Sequence, residues 1–274
     1  MENYKDEELK RKVENFWDKN PCGAKFHIVA KIPERPIGTK EFFEEFDTYR
    51  FNRYKFLEKI LRYDELKEKK VLEIGVGTGS DIARYALAGA KVTGIDLTPS
   101  AIELCRQRFN LFALKGDLRV ADAERLPFED AIFDLVVSIG VLHHTPDTGG
   151  AIKEIYRVLK PKGEAIVMLY YKNSIRYRLK IPLLRIFRKK WRGMSNIEIV
   201  SKLYDGEDNP LGKVYSKREI RKMFREFSTL KMEAKNFHPR EFHFPHFIYP
   251  FFRLKYLHRI LEKIGTDIYI TARK

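Results

Sequence analysis

The stretch VLEIGVGTGSD, residues 71–81, places three glycines in eleven positions. An apolar run from Lys70 to Gly75 leads into it, as in a buried parallel strand. Ser80 then opens the apolar pattern IARYALAGA, whose spacing is helical, and Ser80 is its candidate N-cap. The stretch therefore predicts a strand-to-helix turn whose glycines let a ligand approach the backbone.

The glycine spacing separates two kinds of ligand. The order Gly75-x-Gly77-x-Gly79 brings the third glycine one residue earlier than the dinucleotide fingerprint does. Asp96 ends a second predicted strand, roughly twenty residues after the glycines, where a carboxylate accepts hydrogen bonds from ribose hydroxyls. Glu73, inside the first strand, would repel a pyrophosphate but would attract an ammonium group. The pattern favours a cationic nucleoside, with S-adenosylmethionine as the candidate, over a dinucleotide.

The composition excludes several classes of protein. Cys22 and Cys105 are the only cysteines among 274 residues, which is too few for a disulfide framework or a zinc site. The first twelve residues are charged throughout, so we expect no signal peptide. The longest uncharged aromatic and aliphatic run, residues 242–252, is too short to span a bilayer. We therefore expect a reducing, cytoplasmic location.

The positive charge lies in the C-terminal part of the chain. Residues 172–274 contain 25 Lys and Arg against 10 Asp and Glu, whereas residues 1–171 contain 28 of each kind. The whole net charge of +15 therefore comes from the C-terminal part. An anionic partner would be met there.

Strand and helix patterns alternate through the middle of the chain. Strands are predicted at 70–75, 91–96, 118–122, 133–139 and 164–171, with helices at 80–89, 99–113 and 149–159. Further helices are predicted at 5–18, 40–64 and after an N-cap at Ser216, and further strands at 230–236 and 267–273. This alternation requires a mostly parallel sheet with right-handed crossovers.

Five stretches stand in a fixed order: VLEIGVGTGSD, VTGIDLTPSAIE, VADAERLPFED, FDLVVSIGVLHHTPD and EIYRVLKPKGEAIVM. Together they closely resemble the class I S-adenosylmethionine-dependent methyltransferases, nearest to the ubiquinone/menaquinone-type, or type 11, group. The resemblance is strong over residues 69–171 and loose over the last two strands. One departure is Lys162, where the family often has glycine.

The resemblance implies an α/β, Rossmann-like, doubly wound fold, with a mostly parallel seven-stranded sheet and an antiparallel last strand. Residues 1–68 would form a helical segment packed on the core. Residues 69–171 and 216–274 would form the S-adenosylmethionine-dependent methyltransferase domain. Residues 172–215 would form a basic cap inserted after the fifth strand, accompanied by a later aromatic stretch.

The resemblance also implies which residues hold S-adenosyl-L-methionine. They are Glu73, Gly75, Val76, Gly77, Gly79, Asp96, Leu97, Asp122, Ala123, Ser138, Ile139 and Gly140. Glu73 would orient the amino-acid end, Asp96 would bind both ribose hydroxyls, and Asp122 would accept the adenine amino group. Leu97 would pack on adenine, and Ala123 would give a backbone contact. The glycines would pass under the methionine and ribose, and the stretch 138–140 would line the methionine side.

Two histidines are the candidates for catalysis. His143 and His144 follow the fourth strand, at the sheet edge where ligands bind, and histidine can act as a base near neutral pH. We favour His144. The alternative is that one histidine bonds the turn HTPD while the other packs on the cofactor. Tyr49, Arg50 and Tyr54 lie on a predicted helix before the domain and could close over the cofactor carboxylate, although packing of that helix on the domain also explains them. Cys22 is interpreted as part of a turn.

The acceptor is predicted less narrowly than the cofactor. The leading interpretation is methylation of a small-molecule or lipid-like acceptor, and the alternatives are an RNA methyltransferase and a non-catalytic cofactor-binding protein. The segment 172–192 holds nine basic residues, no acid and interleaved apolar residues. This pattern is typical of a segment on an anionic membrane surface; packing on the sheet or RNA binding would also produce it. The aromatic residues 242–252 would form the other wall of the site's mouth.

Overall fold

The computed structural model describes residues 2–24, 26–237 and 261–274. The α-helices are α1 (Glu2–Lys19), α2 (Phe26–Ala30), α3 (Lys40–Arg53), α4 (Leu57–Leu61), α5 (Ser80–Leu87), α6 (Pro99–Leu111), α7 (Thr148–Val158), α8 (Ile181–Phe187), α9 (Asn196–Asp205) and α10 (Lys217–Met223). The strands are β1 (Lys70–Ile74), β2 (Lys91–Asp96), β3 (Asp117–Val120), β4 (Phe133–Ile139), β5 (Leu159–Tyr171), β6 (Val214–Tyr215), β7 (Thr229–Lys235) and β8 (Asp267–Arg273). No helix in the described ranges is long and apolar enough to cross a membrane.

All eight strands form one sheet in the order β3-β2-β1-β4-β5-β8-β7, with β6 beside the end of β5. Strands β1 to β5 pair in parallel, and β8 runs antiparallel to both β5 and β7. The predicted mostly parallel sheet with an antiparallel last strand is therefore confirmed. The two-residue β6 is an eighth strand that the sequence pattern did not predict, since it is too short to show any alternation.

Apolar layers cover both faces of the sheet. Alternate residues of β1 point to opposite faces, so Val71 packs with residues of α5 and α6, whereas Leu72 packs with residues of α7 and α10. All but the first residue of β1 are buried. Glu73 therefore lies on an interior strand, with its register partners on β2 and β4 on either side. Glutamate is almost never buried inside a sheet unless its carboxylate has a partner, so Glu73 indicates a structural or ligand-binding role.

Strand β5 begins earlier than predicted, at Leu159. Leu159 pairs with Phe133, and the register then shifts before Glu164 pairs with Leu135. Lys162 lies within this irregular stretch and takes a φ of +66°. A left-handed φ disfavours a side chain, which explains why glycine suits this position in the family that the sequence resembles.

Two predicted helix features differ from the structure. Helix α5 begins at Ser80, but its N-cap is Gly79, and the Ser80 hydroxyl donates to Asp47 Oδ1 at 2.6 Å instead of capping the helix. The predicted helix over 40–64 is divided into α3, α4 and a short 3₁₀ turn, Tyr63–Leu66. Ser216 is confirmed as an N-cap, since it forms a capping box with Glu219.

Before α9, the segment 172–215 carries a wide helical turn, α8 and a 3₁₀ turn, Lys189–Trp191. A wide helical turn, Arg176–Lys180, leads directly into α8, and Pro182 occupies the first turn of α8, where no intrahelical N–H is needed. Buried residues from this segment pack against the end of β5 in a small cluster of their own: Tyr170, Ile181, Ile199 and Val200. The predicted aromatic wall, residues 242–252, lies outside the described residues.

Candidate active site

A cavity opens at the carboxyl ends of β1, β2 and β4, with α1 and α3 forming its outer wall. Eleven of the fourteen residues that the sequence singled out line it: Glu73, Gly75, Val76, Gly77, Asp96, Leu97, Asp122, Ala123, Ile139, Gly140 and His144. The predicted residues are thus brought together from the ends of four strands, β1 to β4, and the loops that follow them. This edge of a parallel sheet is where ligands bind.

The other three predicted residues lie behind the cavity wall. A Cβ added to Gly79 would stand 2.7 Å from Cys105 Sγ, so this glycine serves helix packing. The Ser138 hydroxyl is buried and donates to the Ile74 carbonyl oxygen at 3.1 Å. The His143 ring is fully buried and lies 3.7 Å from the Tyr170 ring, centroid to centroid. These three residues shape the wall from behind and do not face the cavity.

Gly75 turns the chain out of β1 in a conformation that only glycine tolerates easily. Its φ is +81°, and a Cβ placed on it would stand 2.1 Å from Val141 Cγ2. Replacement by any other residue would therefore combine an unfavourable φ with a steric clash. The backbone of this loop forms the floor of the cavity, so the clash would also displace the floor.

We expect Gly75→Ala to lower the free energy of unfolding by about 2–4 kcal/mol, since the left-handed conformation costs about 1 kcal/mol and overpacking about 1–3 kcal/mol. Gly193→Ala is the matched control, because Gly193 has a φ of +82° and nothing within 4 Å of an added Cβ. It should lose only about 1 kcal/mol in urea denaturation. Equal losses in the two variants would contradict the clash.

Glu73 carries a polar atom of the cavity lining that has no hydrogen-bond partner among the described residues. Its side chain is buried, and Oε2 has no hydrogen-bond partner among the described residues. Burial raises the pKa of Glu73 well above its ordinary value, and the nearby charge of Asp81 raises it further. A carboxylate with an unpaired oxygen facing a cavity favours a cationic or hydrogen-bond-donating ligand.

Two further carboxylates line the cavity: Asp96 is the last residue of β2, and Asp122 lies two residues after β3. Asp96 Oδ1 accepts from the Thr98 backbone N–H at 3.0 Å and its hydroxyl at 2.9 Å. Asp96 Oδ2 accepts from the Gly77 N–H at 3.1 Å, and a carboxylate oxygen has capacity for a further donor. Asp122 Oδ2 accepts from Lys10 Nζ at 2.6 Å, which ties α1 to this edge of the cavity.

The N-terminal segment supplies side chains whose place in the site the sequence left open. Arg50 on α3 lines the cavity, forms an ion pair with Asp81, and has an Nε without a hydrogen-bond partner among the described residues. Cys22 lies in the predicted turn and also lines the cavity. Trp17 on α1 places its ring 5.0 Å from the His144 ring, centroid to centroid. The N-terminal segment therefore completes the cavity.

His144 lies in a single 3₁₀ turn, Leu142–His144, directly after β4. Its Nδ1 lies 2.5 Å from the carbonyl oxygen of Leu211. Because a carbonyl only accepts hydrogen bonds, Nδ1 must carry the proton, and Nε2 of the neutral ring keeps its lone pair. Nε2 has no hydrogen-bond partner in the described residues. Burial lowers the pKa of His144, so the ring is neutral at pH 7.

Asp205 lies beyond hydrogen-bond range of the same ring nitrogen. Its Oδ2 is 3.8 Å from His144 Nε2 and accepts a hydrogen bond from Asn209 Nδ2 at 2.9 Å, whereas its Oδ1 accepts one from the Tyr170 hydroxyl at 2.6 Å. Burial raises the pKa of Asp205, whereas the His144 charge would lower it. A protonated His144 would therefore be stabilised by a nearby carboxylate that is itself held in place.

Sequence reasoning missed Asp205 and Leu211. Both lie in the segment 172–215, more than 60 residues from His144, and the stretch LYDGEDNPLG reads only as a polar turn. No local pattern could reveal these contacts, because they arise from the packing of an insertion on the sheet.

Known proteins resemble this chain in sequence over its central part. A family model described as a methyltransferase domain matches residues 72–167. The chain is 42% identical over 101 residues to phthiotriol/phenolphthiotriol dimycocerosates methyltransferase 1 of Mycobacterium ulcerans, covering 36% of each protein. It is 37% identical over 98 residues to a sterol 4-C-methyltransferase of Caenorhabditis elegans, covering 35% of the chain and 29% of that protein. It is 33% identical over 132 residues to demethylmenaquinone methyltransferase of Chlorobaculum tepidum, covering 47% and 52%.

The chain thus spans about a third to a half of the length of these curated relatives. Among solved structures, the cyclase SpnF aligns with a TM-score of 0.59 at 18% identity, over 96% of this chain and 94% of that one. The PH0226 protein of Pyrococcus horikoshii aligns with a TM-score of 0.55 at 21% identity, over 86% and 99%. These two alignments extend the similarity in fold across most of the chain.

Proposed function

We propose that this chain, whose residues 72–167 belong to the methyltransferase domain family, transfers a methyl group to a lipid-like acceptor. S-adenosylmethionine is the cofactor that the domain and its class I fold imply. The observation that carries the proposal is the unpaired, buried Glu73 oxygen in the same cavity as Asp96. One carboxylate suits an ammonium group and the other suits ribose hydroxyls, and only a cationic nucleoside offers both.

The cavity residues fit this cofactor. Glu73 would hold the amino group, Arg50 Nε would serve its carboxylate, and Asp96 Oδ2 would accept from the ribose. When bound, S-adenosylmethionine supplies an electrophilic methyl group on a sulfonium. Asp122 would retain acceptor capacity beside the Lys10 bond for an adenine amino group.

His144 would act as the general base. The ring lines the cavity, and its Nε2 keeps a free lone pair, since Nδ1–H is bonded to the Leu211 carbonyl. Nε2 would take the proton from the acceptor as the new bond forms, and Asp205 would stabilise the resulting imidazolium. The ring cannot rotate freely, because the Leu211 bond fixes its plane. The free protein would therefore hold the base in one orientation before the acceptor arrives.

Apolar side chains form the part of the cavity that an acceptor would enter. Val13, Trp17 and Phe46 come from the N-terminal helices, and Val141 precedes the His144 turn. Such a wall excludes water from the transfer and favours an acceptor with an apolar body. The three relatives are named for acceptors of this kind: phthiotriol or phenolphthiotriol dimycocerosates, a sterol and demethylmenaquinone. Both observations support a lipid-like acceptor.

Transfer of a labelled methyl group tests the proposal directly. The protein would be incubated with methyl-labelled S-adenosylmethionine and, in separate reactions, a total lipid extract or total transfer RNA. We expect label in the lipid fraction alone. Label in RNA would replace this proposal with the RNA methyltransferase that the basic C-terminal part suggests. Cofactor binding by calorimetry without transfer to either fraction, or to protein and small metabolites, would favour a non-catalytic cofactor-binding protein.

Asp205→Asn should slow transfer at pH 7 by about tenfold to a hundredfold, because the imidazolium loses its carboxylate at close range. The Asp205 charge raises the pKa of His144, so its removal should move the acid limb of the pH–rate profile to lower pH. Initial rates measured across pH 5–8 with the labelled cofactor check both effects.

Asp208→Asn is the matched control, since Asp208 is an exposed carboxylate in the same loop. It should leave the rate and the profile unchanged. A slower Asp205→Asn enzyme with an unshifted profile would assign Asp205 a purely structural role.

A further inference from the structure

The segment after β5 presents apolar side chains to solvent along one side of a helical stretch. Leu179, Leu183, Ile186 and Phe187 follow at intervals of four, three and one residues, which places them on one side of a helix. They are 46%, 41%, 60% and 74% exposed, respectively. These four side chains are called the α8 ridge below. A cluster of large exposed apolar residues marks an interaction surface more often than an idle one.

The opposite side of the same stretch is anchored. Ile181 is fully buried in the cluster that packs on β5, together with residues of α9. Since Ile181 holds the inner side of α8, the ridge must face away from the sheet. Packing of the ridge on the sheet, which the sequence left open, is therefore wrong for these four residues in the described part of the chain.

Basic residues surround the α8 ridge without acidic neighbours in sequence. Nine Lys and Arg stand between residues 172 and 192, and no Asp or Glu does. Lys190 pairs with Glu207, but neither Arg188 nor Lys189 has a carboxylate partner within the described ranges. Arg185 donates to Asn196 Oδ1 at 3.1 Å, which leaves its charge uncompensated. The ridge is thus an apolar strip beside three positive charges, on Arg185, Arg188 and Lys189, that have no carboxylate partner among the described residues.

We propose that the α8 ridge and its basic border dock on an anionic membrane surface. The apolar side chains would enter the headgroup boundary, and the cations would meet lipid phosphates. Basic residues alone would serve RNA equally well, since phosphate contacts dominate that affinity too. The exposed aliphatic ridge decides between them, because a phosphodiester backbone offers no apolar surface to Leu183, Ile186 and Phe187. This proposal does not depend on methyl transfer.

Vesicle co-sedimentation tests the docking without any assay of activity. One set of vesicles contains phosphatidylcholine alone, and the other contains equal parts of phosphatidylcholine and phosphatidylglycerol. The wild-type chain should bind the anionic set, and the binding should weaken as salt increases. Arg188→Glu combined with Lys189→Glu should weaken it at least about 25-fold, since each basic residue near such a surface contributes a factor of about five. Phe187→Ser should weaken it about tenfold.

Each variant has a control elsewhere on the surface. Lys55→Glu combined with Lys115→Glu changes the net charge equally at two exposed lysines remote from the ridge. Leu87→Ser removes a side chain that is 69% exposed on α5. Both controls should bind as the wild type does. The proposal is overturned if the charge control loses as much vesicle binding as the variant at Arg188 and Lys189 does. It is also overturned if Phe187→Ser binds vesicles as the wild type does, or if the wild type binds transfer RNA and not vesicles.

Discussion

His144→Ala is expected to reduce the rate of methyl transfer by about 10²–10⁴-fold, the usual contribution of a general base. The variant removes the Nε2 lone pair but leaves Glu73, Asp96 and the glycine loop in place. Cofactor affinity should therefore change little. The measurements are initial rates of label transfer into the lipid extract, and calorimetry with S-adenosylmethionine.

The pH dependence of the wild-type rate provides an independent check. Burial lowers the pKa of His144 below its ordinary value of about 6.5, so the base form is already populated at neutral pH. The rate should rise with pH through this lowered pKa and then level off above it. His27→Ala, on α2 and outside the cavity lining, should behave as the wild type. A His144→Ala rate equal to the wild-type rate would leave His144 with a structural role only.

Asp96→Ala should weaken S-adenosylmethionine binding by about 10²–10⁴-fold. Two ribose hydrogen bonds to a charged acceptor are lost, each contributing on the order of 1.5–3 kcal/mol. The Gly77 and Thr98 N–H groups also lose their acceptor, so the loop would be less ordered before the cofactor binds. Calorimetry measures the affinity, and thermal unfolding without cofactor measures the loop effect separately.

Two variants separate these contributions. Asp96→Asn keeps one neutral acceptor in the same place and should lose less affinity than Asp96→Ala. Glu129→Ala removes an exposed carboxylate and should bind normally. Normal affinity in Asp96→Ala, or tight binding of NAD by the wild type, would refute the assignment of the cavity to a cationic nucleoside.

The sheet could be predicted from the sequence because its signals are local. β2, β4 and β8 have the predicted bounds, since each is an apolar run that ends at a polar or turn residue. Errors occur where tertiary contacts override local preference. Serine is a preferred N-cap residue, but the Ser80 hydroxyl donates its hydrogen bond to Asp47 on α3, 33 positions away in sequence. Lys162 occupies a left-handed position that its residue type does not indicate.

The site could be predicted in part for the same reason. Residues on the strand ends, such as Glu73 and Asp96, belong to motifs that stand in sequence order, and they line one cavity. The side chains that control His144 belong to no motif. Leu211 and Asp205 reach it only because the insertion folds back over β5, and their roles depend on distances that the sequence does not contain.

The bond between His144 Nδ1 and the Leu211 carbonyl also fixes the route that a proton can take. A carbonyl oxygen is too weak a base to receive the Nδ1 proton, so the ring cannot act as a relay that accepts on one side and releases on the other. A proton taken up at Nε2 must leave from Nε2, either into the cavity or towards Asp205 Oδ2, 3.8 Å away. His144 therefore cannot pass a proton through its ring. To return to the neutral base between turnovers, it must release the proton from Nε2, the same nitrogen that receives it from the acceptor.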